Sequence, residues 1–283
     1  MTTLERVIGV RALTLNAINI IVGASIFAVP AIVAGELGAA GWIAFLLCGG
    51  MMGLVMFCFA AAASRVTADG GLYAYADRAF GPFAGSLVGV MLWLPNGAIA
   101  TSAVCNLFAD TLGQVWPAAG TGAGRVGAIL LVYATFATIN VLGVKPGVRV
   151  SEVLTAVKVT PLVLIGVFGL FAVTAANLQW TGTLSFAALA QMIVLLNFTF
   201  QGSEGALNAS GEVRDASRAV PISIMLSLGT VTLLYIALQV VAQGVLGADL
   251  PQHKAAPLAD TAGAIVGQWG QRAIVFTALL STL

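Results

Sequence analysis

The stretch IVGASIFAVPA (Ile21–Ala31) interrupts an otherwise apolar run, with Ala12–Ile20 before it and Ile32–Ala34 after it. The flanks have the composition of a membrane span, yet Gly23 and Pro30 both weaken a helix. A helix opened inside hydrocarbon leaves backbone N–H and C=O groups without partners, at a cost of several kcal/mol each. Such an opening survives where it is occupied, or where it lines a cavity. Its purpose decides how the rest of the chain is read.

Composition fixes the solvent. Of 283 residues, 59% are hydrophobic and only 8% are charged, and mean hydropathy is +1.01. A soluble domain carries about 25% charged residues, so this chain is built for a bilayer. A net charge of +1 and a pI near 7.7 provide no basic surface for nucleic acid. Cys48, Cys58 and Cys105 all lie in apolar runs, which points to packing rather than a disulfide framework. The first apolar segment is too long for a signal-peptide core, and many more segments follow it.

A span needs about 20 apolar residues. Seven segments meet this, at about 12–34, 39–63, 83–116, 126–143, 153–175, 186–210 and 220–246. With a cytoplasmic N-terminus, the inner side holds Arg6, Arg11, Arg65, Arg78, Lys145, Arg149, Arg214 and Arg218. The outer side holds Arg125, Lys254 and Arg272. That bias predicts an inside N-terminus and a multi-pass protein of the cell membrane. The final stretch, Gly270–Leu283, begins like an eighth span but at about 1.5 Å per residue falls short of crossing. The chain therefore reads as a truncated or partial transporter, a single transmembrane domain over 1–283.

The sixth segment carries a second interruption, NFTFQGSEGALNAS (Asn197–Ser210), where Gly202 and Gly205 bracket Ser203 and Glu204. Glycine in a membrane helix often serves only close packing, and either break alone is open to that reading. Two breaks heading the first and sixth spans fit better with a transporter of two five-helix halves, whose interrupted helices meet at the midplane. This predicts an all-α inverted-repeat fold. The first repeat covers about 10–175 and a partial second repeat covers about 186–283.

Three ordered motifs add a resemblance. GASIFAVPA (Gly23–Ala31), GGLYAYADRAFGPFAG (Gly70–Gly85) and GSEGALNASGEVRDASRAVPISI (Gly202–Ile224) resemble signature segments of the amino acid–polyamine–organocation (APC) superfamily of permeases. Ala24 and Ser25 stand where that family usually has Ser and Gly, and Asp215-Ala216 replace Asn-Pro. An opened helix suits a zwitterion on general grounds: helix N-termini bind carboxylates and freed carbonyls accept from an ammonium.

The resemblance implies specific roles. The N–H groups of Ala24, Ser25 and Ile26, beyond Gly23, would take a substrate carboxylate. The carbonyls of Ile21 and Gln201 would take its ammonium. Phe198 would stand at the aromatic gate with Phe200 close by, and Asn96 would line a side-chain pocket. Gly202, Ser203 and Glu204 are expected at the substrate site, where Glu204 either binds a cationic substrate directly or, as favoured here, caps backbone N–H groups or bridges neighbouring helices.

Lys158, in SEVLTAVKVTPLVLI (Ser151–Ile165), is an ionisable group inside the fifth span, and such groups by default mark function. Snorkelling to the inner face is the alternative. The resemblance implies a proton-coupling role, with the ammonium replacing a bound cation beside the first break. His253 stands without Cys, Asp or His at ligand spacing, so no metal site is expected, and no cofactor motif is present.

The sequence thus predicts a secondary transporter of amino acids or related amines, proton-coupled or exchanging. A ligand-binding membrane sensor is the alternative, but it would need a signalling domain, and no long polar segment provides one. An intramembrane enzyme would need a nucleophile–base pair or clustered His and carboxylates. No phosphate loop of the G-x-x-x-x-G-K-[ST] type is present for ATP-driven pumping.

Overall fold

The computed structural model describes residues 8–66, 70–141, 144–180, 182–202, 213 and 215–281. Among these, every named element is helical, and the one β-contact is an isolated parallel bridge between Ile8 and Val213. Four helical runs are long and apolar enough to cross a bilayer: Val29–Ala63, Pro82–Asp110, Glu152–Ala172 and Ala216–Gln252. Val10–Ile21, Gly122–Thr138 and Phe186–Thr199 are shorter apolar helices. A polytopic membrane protein follows from this set.

Helix α1 (Val10–Ile21) is followed by a 3-10 turn (Ala24–Phe27) and then α2 (Val29–Leu37). The apolar run is therefore two helices rather than one. Pro30 does not break anything in this arrangement. It sits in the first turn of α2, where its missing N–H has no partner to lose. The helix ends earlier, at Gly23, whose N–H turns back to the Ile21 carbonyl at 2.8 Å.

Helix α3 (Gly41–Ala63) shows why composition alone reports the bilayer. Phe45, Cys48, Gly49, Met52 and Met56 are buried along one stripe at helical spacing. The opposite face carries Leu46, Leu47, Met51, Leu54, Val55 and Phe57, all exposed. A soluble helix would place charge there; an apolar outer face is stable against lipid tails.

The chain continues through α4 (Leu72–Phe80), α5 (Pro82–Leu92), a π-helical stretch (Trp93–Ala100) and α6 (Thr101–Val115). This stretch contains Pro95, and proline lacks the N–H that an α-helical ladder needs. A short α7 (Pro117–Gly120) precedes α8 (Gly122–Val141). Arg125 pairs with Asp110 and donates to the Asn106 side chain at 2.8 Å, tying the adjoining ends of α6 and α8. Asp110 is paired but still exposed, and an exposed pair contributes about 0–1 kcal/mol. Then follow α9 (Val144–Phe168) and α10 (Phe186–Thr199), the latter capped by Ser185.

The longest element, α11 (Ala216–Leu246), organises the rest. It packs against α1, α3 and α9, and also against α12 (Pro257–Val266). Ser223 Oγ donates to the Val10 carbonyl at 3.1 Å, and Tyr235 Oη to the Ile21 carbonyl at 3.0 Å. Both ends of α1 are thus matched in order along α11, so the two helices run side by side in the same direction. The Ile8–Val213 bridge continues that alignment below the helices.

Close approach of α3 and α11 rests on Gly49. A Cβ built there would lie 2.5 Å from Thr232 Cγ2, whereas one at the neighbouring Gly50 would meet nothing within 4 Å. Gly49→Ala should therefore destabilise the protein by about 1–3 kcal/mol through overpacking, while Gly50→Ala should be neutral or stabilising because of the better helix propensity of Ala. Thermal melts of the two variants in detergent check this contrast. Equal melting temperatures would refute the close α3–α11 contact.

Candidate functional site

The last turn of α1 leaves carbonyls that no helical N–H can reach, and three separate helices supply donors. Lys158 Nζ, from α9, donates to the Asn19 carbonyl. Tyr235 Oη, from α11, donates to the Ile21 carbonyl. Ser281 Oγ, at the end of α13 (Gln268–Leu280), lies 3.5 Å from the Val22 carbonyl. The carbonyls of Asn19, Ile21 and Val22 thus meet donors from residues far apart in sequence.

Lys158 is only 7% exposed. Its amino group points across to α1 rather than down to water, so its geometry is that of a buried donor and not of a snorkelling side chain. Thr155, one turn earlier on the same face, is buried with it.

The C-terminal end of α10 lies directly against the first break. Gly202 follows α10 with φ +106, a conformation that L side chains rarely adopt. A Cβ at that position would sit 2.6 Å from Ile20 Cγ2 and 3.1 Å from the Ile20 backbone. The glycine is needed because the chain leaving α10 approaches the backbone at the end of α1 this closely. Tyr235 spans the junction, since its hydroxyl is also 3.5 Å from the Thr199 carbonyl at the end of α10. The Phe200 ring packs edge-on against Tyr235 with centroids 5.2 Å apart, and Phe45 does so at 6.2 Å.

Gly23 is different. A Cβ added there would meet nothing closer than the Ile21 carbonyl oxygen at 4.0 Å. Gly23, Ala24 and Ser25 are half-buried, whereas Ile21 and Ile26 are buried. The N–H groups of Ala24, Ser25 and Ile26 head the 3-10 turn, the part of a helix with no intrahelical acceptor to offer. The first break therefore presents backbone donors, with room for a methyl group at Gly23.

The remaining expected residues fall in different places. Phe200 is fully buried against Tyr235, while Phe198 is 68% exposed and Gln201 is exposed. Asn96 lies within the π-helical stretch, and its side chain is outside the described residues. Ser203 and Glu204 also lie outside them. Among the described residues no group of three or more His, Cys, Asp or Glu is placed to hold a metal. His253 has a partner the sequence did not suggest: its Nδ1 lies 2.7 Å from Asp260 Oδ2, and Gln271 donates to the same carboxylate at 3.0 Å.

Sequence reasoning missed Tyr235 and Ser281. A signal for the first does exist. Ser223, Ser227, Tyr235, Gln239 and Gln243 recur along α11 at multiples of four, all buried within an apolar helix. A polar stripe at helical spacing in a membrane span marks a face turned toward backbone polar groups.

A family model described as "Amino acid permease" matches residues 8–283. The chain is 30% identical over 273 residues to the "Cadaverine/lysine antiporter" of Escherichia coli (strain K12), covering 93% of this chain and 59% of that protein. It is 29% identical over 276 residues to "Cationic amino acid transporter 9, chloroplastic" of Arabidopsis thaliana, covering 91% and 48% respectively. It is 28% identical over 261 residues to the "Methylthioribose transporter" of Bacillus subtilis (strain 168), covering 86% and 56%. The chain spans about half the length of these curated relatives.

The two glycines yield a test of the site's construction. Gly202→Ala must strain a positive φ and push into Ile20, costing about 1–3 kcal/mol. Gly23→Ala fits its space and backbone, and should stay within about 0.5 kcal/mol of the parent. Thermal unfolding of the two purified variants distinguishes them. A Gly202→Ala protein as stable as the parent would separate the two breaks.

Proposed function

This chain belongs to the amino acid permease family, and on that premise we propose that it is a secondary transporter of an amino acid or related amine across a membrane. Permeases move solutes without altering them, so no catalytic residue is assigned. The observation that carries the reading is the pairing of backbone donors at Ala24–Ile26 with the carbonyls that end α1 at Asn19–Val22, beside Gly23, where an added Cβ would meet nothing closer than 4.0 Å. Donors suit a carboxylate and carbonyls suit an ammonium, and a free amino acid brings one of each. The relatives' printed names, which include lysine, cadaverine and cationic amino acids, add weight to a nitrogen-bearing substrate.

In this reading 10–175 forms the first repeat and 186–283 belongs to a second, inverted one. The breaks at Gly23 and Gly202 form the shared centre, and the N-terminus faces the cytoplasm. Gln201 and Phe198, both exposed at the second break, would meet the substrate from the other side, with Asn96, Ser203 and Glu204 completing the surround. Transport follows when the inner and outer halves of the first broken span tilt in alternation about this centre. A shift between the two orientations needs a ligand or a proton with different affinity for each.

Lys158 is suited to that task. Its ammonium holds the Asn19 carbonyl, and loss of the proton would release the end of α1. Proton coupling therefore runs through Lys158 in this proposal.

Binding and counterflow in proteoliposomes, with labelled lysine, arginine, alanine and cadaverine, test the function. At least one should bind and exchange against its unlabelled form, and Gly23→Leu should abolish that binding by filling the space beside Gly23. Absence of binding for every probe would overturn the reading. Lys158→Ala should abolish uptake driven by an imposed pH gradient while sparing exchange. Lys158→Arg should not restore it, because Arg stays protonated across the working range. Full pH-driven accumulation by Lys158→Ala would exclude the lysine from coupling.

A further inference from the structure

We propose that Tyr235 is a positioning residue that fastens the two helix breaks to each other. Its side chain is fully buried at the middle of α11. Its hydroxyl lies 3.0 Å from the Ile21 carbonyl and 3.5 Å from the Thr199 carbonyl. Those atoms belong to the final residues of α1 and α10, where helix geometry leaves carbonyls short of intrahelical donors. One hydroxyl therefore serves the ends of both interrupted helices.

A phenol has a single O–H to donate. At any moment it serves one carbonyl fully, and the shorter distance assigns it to Ile21. Small rotation of the same hydroxyl reaches Thr199. In hydrocarbon a carbonyl has no water to fall back on; the Ile21 carbonyl already accepts from the Gly23 N–H at 2.8 Å, and Tyr235 adds a second donor that reaches it from a different helix. The ring is fixed in turn by edge-on packing against Phe200 and Phe45. Phe200 is itself part of the second break, so ring and hydroxyl act on the same junction.

Gly202 seated against the Ile20 backbone brings the segments into contact, and Tyr235 supplies the polar link between them. The inner half of the first broken span and the end of α10 thus behave as one unit pinned to α11. On the proposed transport reading, an ammonium that takes the Ile21 carbonyl would turn the hydroxyl to Thr199, and so carry occupancy at one break to the other. The pinning itself does not depend on that reading.

Hydrogen exchange of the full chain in lipid nanodiscs, without ligand, tests the link. Tyr235→Phe keeps the ring and its packing but removes the hydroxyl. Exchange should rise roughly three- to tenfold in peptides covering 18–29 and also in those covering 196–202, the range set by one net hydrogen bond. Peptides from α3 should be unchanged. Tyr235→Leu, which also removes the ring, should raise the same two segments at least as much. If Tyr235→Phe leaves either segment at the parent rate, or if only Tyr235→Leu has an effect, packing holds the junction and the proposal is overturned. Failure of every substrate probe to bind would count against transport while leaving this result to stand by itself.

Discussion

The structure depends on one constraint: carbonyl groups released at the end of α1 must find donors inside a medium that has none. Each unsatisfied group costs several kcal/mol in hydrocarbon. The chain meets this with Lys158, Tyr235 and Ser281, each from a different helix. The break is therefore the point on which α9, α11 and α13 converge, and their packing follows from serving it.

The role of α11 makes sense in that light. It is apolar enough to cross the bilayer, yet it carries a buried polar stripe along one face. Ser223 meets the start of α1 and Tyr235 its end, while Gln239 Nε2 lies 3.5 Å from the Pro30 carbonyl in α2. One helix thus indexes both halves of a broken one. That arrangement keeps the two halves aligned without a continuous backbone ladder between them, which leaves the gap at Gly23 available.

The glycines divide by purpose. Gly49 and Gly202 let backbones approach, and a methyl group at either would collide with a neighbour. Gly23 has room for one. Residue type alone does not separate these uses, because all three occur in apolar runs with little to distinguish them. The distinction depends on what lies opposite, and a neighbour is a property of the folded chain.

The bilayer, the helical class, the position of the first break and the membership of a permease family were legible in the residues themselves. Apolar length sets a span, and a span admits few backbone solutions, so local composition suffices. The flanks of Gly23 and the motif through Pro30 located the first break correctly. The reading of Pro30 as a breaker was revised, since it opens α2 rather than ending α1. Tertiary structure alone decided which donors serve the freed carbonyls. Tyr235 is 214 residues from Ile21, and Ser281 is 259 from Val22. Such pairings depend on the rotation and register of packed helices, and an apolar span whose faces are nearly equal in hydropathy does not encode either.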